Sequence, residues 1–160
     1  KIDVELTYIT SRGNWYQESW KGNPKKSFGI LANIGVHFFD MLHFVFGEIQ
    51  ETEIHLYKED KAAGFFEFQN ARIRWFLSID NMDLPEDIRG KKSTYRNIDL
   101  SGEKLEFSNG FTDLHTVSYE EILNQRGFGL DEARHAIETL DVLKTLPLKK
   151  TSRSHPFVKV

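Results

Sequence analysis

Residues 48–107 constrain the fold more than any other part of the chain. The segments "EIQETEIHLYK", "GFFEFQ", "ARIRWFLSID", "TYRNIDLS" and "KLEFS" follow one another with no helical period between them. Their alternation and their β-branched and aromatic content mark each as a strand. Tight turns are expected at Gln69–Asn70–Ala71 and Ser101–Gly102–Glu103, and "NMDLPEDIRGKKS" reads as a polar loop. Strands joined by short turns pair antiparallel, because a parallel pair needs a long crossover. "KIDVELTYIT" adds a strand at the start, and "HPFVKV" reads as a final edge strand.

Helical spacing flanks these strands. "FGILANIGVHFFDMLHFVFG" is a long helix that stops at Gly47, a C′ glycine. "SYEEILNQ" is a short one. "GFGLDEARHAIETLDVLKTLP" is longer, with the apolar stripe Leu130, Ala133, Ile137, Leu140 and Leu143 and an end marked by Pro147. Residues 1–160 therefore read as one α+β domain, an open, mostly antiparallel sheet with helices on one face.

Composition narrows the function. A net charge of −3 does not suit a nucleic-acid or membrane-surface binder. No apolar run approaches the ~20 residues needed to span a bilayer, and no signal peptide is visible. Without cysteine there is no disulfide and no thiolate chemistry. The 13 Phe suit a sheet under a helix layer. A sheet this aromatic is not expected to face water, so homo-oligomerisation through the open sheet face is predicted. The chain starts at Lys1 inside a strand-like segment and reads as a fragment of a longer protein.

The long helix poses the functional question. On a wheel of about 100° per residue, Ile30, Ile34, Phe38, Met41, Leu42 and Val45 share one broad side. Asn33, His37 and Asp40 share a narrow sector opposite, beside Phe44. That sector holds no Lys, Glu or Arg, which an exposed helix face would favour. It is read as the polar floor of a pocket, with His37 as a proton-transfer group. The competing reading is the wetter side of an ordinary amphipathic helix. Gly35 is expected to let a ligand or another backbone come close. Metal is a third reading, since His37, Asp40 and His43 are ligand types. One helix supplies at most two good ligands, however, and no partner His or Cys motif stands out, so no metal site is expected.

Two stretches together carry a resemblance. "YITSRGNWYQESWKG" followed by "NIGVHFFDMLHFVFG" resembles the C-terminal domain of the Gfo/Idh/MocA oxidoreductases. It is most similar to the branch that oxidises UDP-N-acetylglucosaminuronic acid at C3′ for bacterial lipopolysaccharide sugars. "SYEEILNQRGFGLDEARHAIETL" extends the likeness over nearly the whole chain. Phe28 departs from it, standing where a second small residue is expected. The chain also lacks the family's glycine-rich dinucleotide motif, since "GFGLDE" has no third glycine and follows no strong strand.

The resemblance implies a cytoplasmic enzyme that binds NAD or NADP through an N-terminal dinucleotide domain absent from this chain. The chain alone is then inactive. His37 would accept the alcohol proton, Asn33 would position the hydroxyl or the nicotinamide, and Asp40 would support His37 from behind. The loop residues Arg12, Trp15, Tyr16, Ser19 and Lys21 would bind the nucleotide sugar through charge and flat faces. Trp15 and Trp20 also read as core lids, and Lys25 and Lys26 as a solvated pair. Two other functions compete, a non-catalytic oligomerisation module and a metal-assisted sugar isomerase or lyase.

Overall fold

Six strands form a single sheet in the computed structural model, which describes residues 1–13, 15–108 and 113–158. They are β1 (Ile2–Thr10), β2 (Ile49–Tyr57), β3 (Lys61–Phe68), β4 (Ala71–Ser78), β5 (Thr94–Leu100) and β6 (Glu103–Glu106), in the order β2-β3-β4-β1-β5-β6. β1 lies parallel to β4, and every other pair is antiparallel. Both expected hairpins are present. The long loop after β1 is wound into one-turn helices α1 (Trp15–Glu18) and α2 (Pro24–Ser27), with a 3₁₀ turn at Trp20–Gly22 between them. A π-helical turn, Leu31–Gly35, leads into α3 (Val36–Phe46). After β6 come α4 (Leu114–Leu123) and α5 (Leu130–Thr145).

Period-two alternation aims one set of side chains at the helices. The register places Leu6 beside Trp75 and Ile98, Tyr8 beside Leu77, and Phe66 beside Ile73. α3 lays Phe38, Phe39 and Leu42 on this floor. Phe39 meets Phe66 and Trp75 edge to face, at centroid distances of 5.3 and 5.4 Å. A ring buried this fully contributes roughly 1.5–3 kcal/mol. Gly64 makes room for the Trp75 indole, since a Cβ there would lie 2.4 Å from Cζ2. Gly35 also faces the sheet, where a Cβ would lie 2.8 Å from Leu77 Cδ1. Its role is therefore helix-to-sheet packing, not approach by a ligand.

Three expectations change. Val45 is exposed, although the wheel placed it inward. In α5, Leu130, Ala133 and Ile137 face solvent, and Ala136, Thr139, Leu140 and Leu143 turn inward. The stripe is rotated because α5 packs on α3 through small residues, and Thr139 Oγ1 lies 3.0 Å from His43 Nε2. "HPFVKV" forms no strand among its described residues.

The C-terminal segment instead crosses the second face of the sheet. Lys149 N–H donates to Ile54 O at 2.8 Å, and Arg153 lies over the Phe65 ring at 4.4 Å. His155, Phe76 and Phe157 stack on one another as a three-ring cluster. Phe65 and Phe76 are thereby buried by the chain's own tail. Those two rings need no second subunit to cover them. Beside the tail run paired charges, Asp3 with Arg72 and Glu5 with Arg74. Glu53 lies under the tail, bonded to His55, Lys149 and Arg153. Burial would raise its pKa, but the Lys149 and His55 hydrogen bonds and the Arg153 charge hold it at about 2.

Candidate active site

The sheet ends of β1 and β5 and the start of the long helix enclose a cavity of about 390 Å³. Tyr8, Arg12, Asn33, His37 and Arg96 give it polar walls, and Ile34, Phe38, Met41 and Leu114 give it an apolar lining. Such a mix of a few convergent polar groups on hydrocarbon is what a small-ligand site requires.

Each polar group is placed by a local device. Tyr8 and Arg96 are direct cross-strand neighbours in β1 and β5. The Arg96 guanidinium lies 5.0 Å from the Tyr8 ring centroid and donates to the Tyr8 hydroxyl at 3.4 Å. Its other arm donates to Ser108 O. Arg12 follows directly on β1, tied by its N–H to Ile79 O at 3.1 Å.

Asn33 sits in the π-helical turn, and its Nδ2 is spent on the loop, donating to Lys21 O at 3.1 Å and Ser27 Oγ at 3.3 Å. That leaves Oδ1 as the amide atom available to a ligand. His37 is exposed on the first turn of α3, and its side chain makes no hydrogen bond or ion pair among the described residues. An imidazole so placed can accept a proton from a bound hydroxyl.

Of the sequence-predicted residues, Arg12, Asn33 and His37 come together around this cavity. Asp40 does not join them. It is exposed and lines a neighbouring cleft with His43. Ser19 serves the loop itself, donating to Tyr16 O and accepting from Lys21 N–H. Lys21 anchors Asn33 through its carbonyl, and its ammonium lies 5.8 Å from the Trp20 ring centroid. Trp15 is exposed and packs edge-on against Tyr16.

Tyr16 is only 4% exposed and belongs to the core. Its hydroxyl has no partner in hydrogen-bonding geometry among the described residues. Burial raises its pKa, against the opposing pull of the Asn33 amide and the Arg12 charge. Of the described residues between β1 and the π-helical turn, Arg12 lines the cavity, while the Lys21 carbonyl and Ser27 hydroxyl hold the Asn33 amide.

Sequence reasoning missed Tyr8 and Arg96. The available signal was an arginine two residues before Ile98, on the same face of β5. Phe28, the departure noted in the loop, adopts φ +63°. A bulky residue is strained there and glycine is not. The Lys144 ammonium sits over its ring, 3.0 Å from the centroid.

Comparison with known proteins identifies the fold and the family. A family model described as "Oxidoreductase family, C-terminal alpha/beta domain" (Gfo/Idh/MocA) matches residues 1–156. The WlbA (WbpB) dehydrogenase from Thermus thermophilus, crystallised with NAD and alpha-ketoglutarate, superposes with TM-score 0.93 at 50% identity. That match covers 98% of this chain and 52% of the other. The same enzyme crystallised with NAD and UDP-GlcNAcA gives TM-score 0.92 at 48% identity, with the same coverage. The Bordetella pertussis WlbA dehydrogenase, crystallised with NADH and UDP-GlcNAcA, shares the fold at TM-score 0.63 and 13% identity, over 94% of this chain and 56% of its own. The chain spans about half the length of these proteins.

Proposed function

Because the chain belongs to the Gfo/Idh/MocA oxidoreductase family as its C-terminal α/β domain, we propose that it is the substrate-binding and catalytic half of a nucleotide-sugar dehydrogenase. The substrate is a UDP-linked N-acetylated uronic acid, UDP-N-acetylglucosaminuronate, oxidised at C3′. The Thermus relative crystallised with UDP-GlcNAcA supports this reading. The observation that carries it is the meeting of two guanidiniums, Arg12 and Arg96, with an imidazole and a carboxamide around one cavity.

Arginine binds a carboxylate through two parallel, charge-assisted bonds, which suits the uronate group. Hydrocarbon from Ile34, Phe38 and Met41 meets the C–H faces of the sugar. Asn33 Oδ1 accepts from a ring hydroxyl. His37 takes the proton from the hydroxyl at the carbon being oxidised. The residues here do not suit a whole dinucleotide. Gly127–Glu132 follows α4 instead of a strand, and no strand, glycine-rich turn and helix follow one another among the described residues. An N-terminal domain would hold NAD or NADP, with only the nicotinamide meeting Asn33 and His37. When bound, it supplies the hydride acceptor.

The chain alone is expected not to turn over. The reading implies a cytoplasmic enzyme of lipopolysaccharide sugar synthesis. Self-association, if built on the second sheet face, would use its charge rows and not its covered aromatics.

The test is discrimination by charge. In a protein carrying both domains, Arg96→Met should weaken half-saturation by UDP-N-acetylglucosaminuronate roughly ten- to a hundredfold, the value of a charged hydrogen bond. The neutral UDP-N-acetylglucosamine should lose far less. Equal losses for the two sugars would remove the carboxylate from this site.

A further inference from the structure

A second cleft, of about 580 Å³, opens on the far side of His37. It is lined by Asp40, His43, Phe44, Glu48, Phe128, Glu132 and His135 as well as His37 and Met41. One ligand atom from each of His43, Glu48 and His135 lies within 4.8 Å of the other two. We infer that these three side chains form a binding site for a divalent cation of the zinc class, clamping the last turn of α3 to α5. This inference does not depend on the sugar substrate.

The fold assembles the set from three places. His43 lies in the last turn of α3. Gly47, at φ +79°, breaks the helix and turns the chain so that Glu48 returns beside it. α5 brings His135 from the opposite side, and its Nδ1 stands 3.5 Å from Glu48 Oε1. The two imidazoles are 5.3 Å apart between centroids, inclined by 30°.

The orientation of His43 is fixed in the way a ligating histidine requires. Thr139 Oγ1–H donates to His135 O at 2.8 Å, so it accepts from His43 Nε2–H. The lone pair of His43 is then on Nδ1. Glu132 is already committed, accepting from Gly129 N–H at 2.8 Å, so it closes the helix instead of joining the set. Ligand atoms around a tetrahedral zinc lie roughly 3.4 Å apart. The Glu48–His135 separation already matches. No pair is wider than 4.8 Å, so the set must close by at most about 1.4 Å, through rotation of the exposed Glu48 and His135 side chains. Two imidazoles and one carboxylate favour zinc over magnesium or calcium.

Titrate the full chain with Zn²⁺ in competition with a chromophoric chelator. One equivalent should bind and raise the melting temperature. His135→Ala and Glu48→Gln, both at exposed positions where folding can be checked by circular dichroism, should each weaken binding at least tenfold and abolish the thermal shift. His115→Ala, on α4, should leave both unchanged. Absence of stoichiometric binding, or binding undiminished in both His135→Ala and Glu48→Gln, would overturn the assignment.

Discussion

Lowering the pH from 7 to 5 should destabilise this domain chiefly through His155. The imidazole is 2% exposed, in a three-ring cluster with Phe76 and Phe157. Phe157 N–H lies 3.2 Å from its Nδ1, so Nε2 carries the proton and donates to Thr7 Oγ1 at 3.2 Å. Burial, aided by the Arg74 charge, pushes its pKa from 6.5 down to about 3. The unfolded chain binds a proton below pH 6.5 and the folded chain does not. Stability is therefore full above about 6.5 and falls by about 1.4 kcal/mol per pH unit until about pH 3. Between pH 7 and 5 the loss works out to about 2 kcal/mol.

The assay is urea unfolding at both pH values for the native chain and for His155→Phe. The variant keeps the stacking but strands the Thr7 hydroxyl and the Phe157 N–H, so it should be less stable at pH 7 by about 1–3 kcal/mol. Its further loss on acidification should be smaller than that of the native chain by about 2 kcal/mol. His43, also lowered by burial, acts in both proteins and cancels. Equal acid losses in the two proteins would refute the argument that His155 is held neutral.

Two further substitutions test the packing. Gly35→Ala gains helix propensity but drives a methyl to 2.8 Å from Leu77, so it should destabilise by about 1–3 kcal/mol in denaturant unfolding. Glu53→Gln removes the carboxylate that Lys149 and Arg153 share beneath the tail. It should cost about 1–3 kcal/mol, discounted for the exposed ends of its partners, and should hasten proteolysis after residue 148. The part of this stability that comes from the depressed Glu53 pKa is present above pH 4.5 and is lost as pH falls towards about 2.

The sheet was legible because its signals are local. Alternation gave the strands, and turn residues gave the hairpins at 69–71 and 101–103. What failed depended on partners distant in sequence. The alternating tail could form a strand, but Phe76 and Glu53 offered rings and charge that held it flat on the sheet instead. The α5 stripe looked regular, yet contact with α3 selected Ala136 and Thr139 over Leu130 and Ile137.

Asn33 and His37 reach the cavity from one helix, so their spacing shows in the sequence. Tyr8 and Arg96, 88 residues apart, meet only through strand register. The loop motif reads as ligand contacts; in the structure Ser19 Oγ accepts from Lys21 N–H and the Lys21 carbonyl accepts from Asn33. His135 escaped notice as a partner of His43 because no sequence spacing relates residues on two packed helices.

The central claim is that His37 takes the substrate's proton within the Arg12–Asn33–Arg96 cavity. The direct measurement is NADH formation from UDP-N-acetylglucosaminuronate by a two-domain protein carrying His37→Ala. The account predicts turnover lowered by about 10²- to 10⁴-fold with the fold intact. Turnover equal to that of the unaltered protein would contradict it.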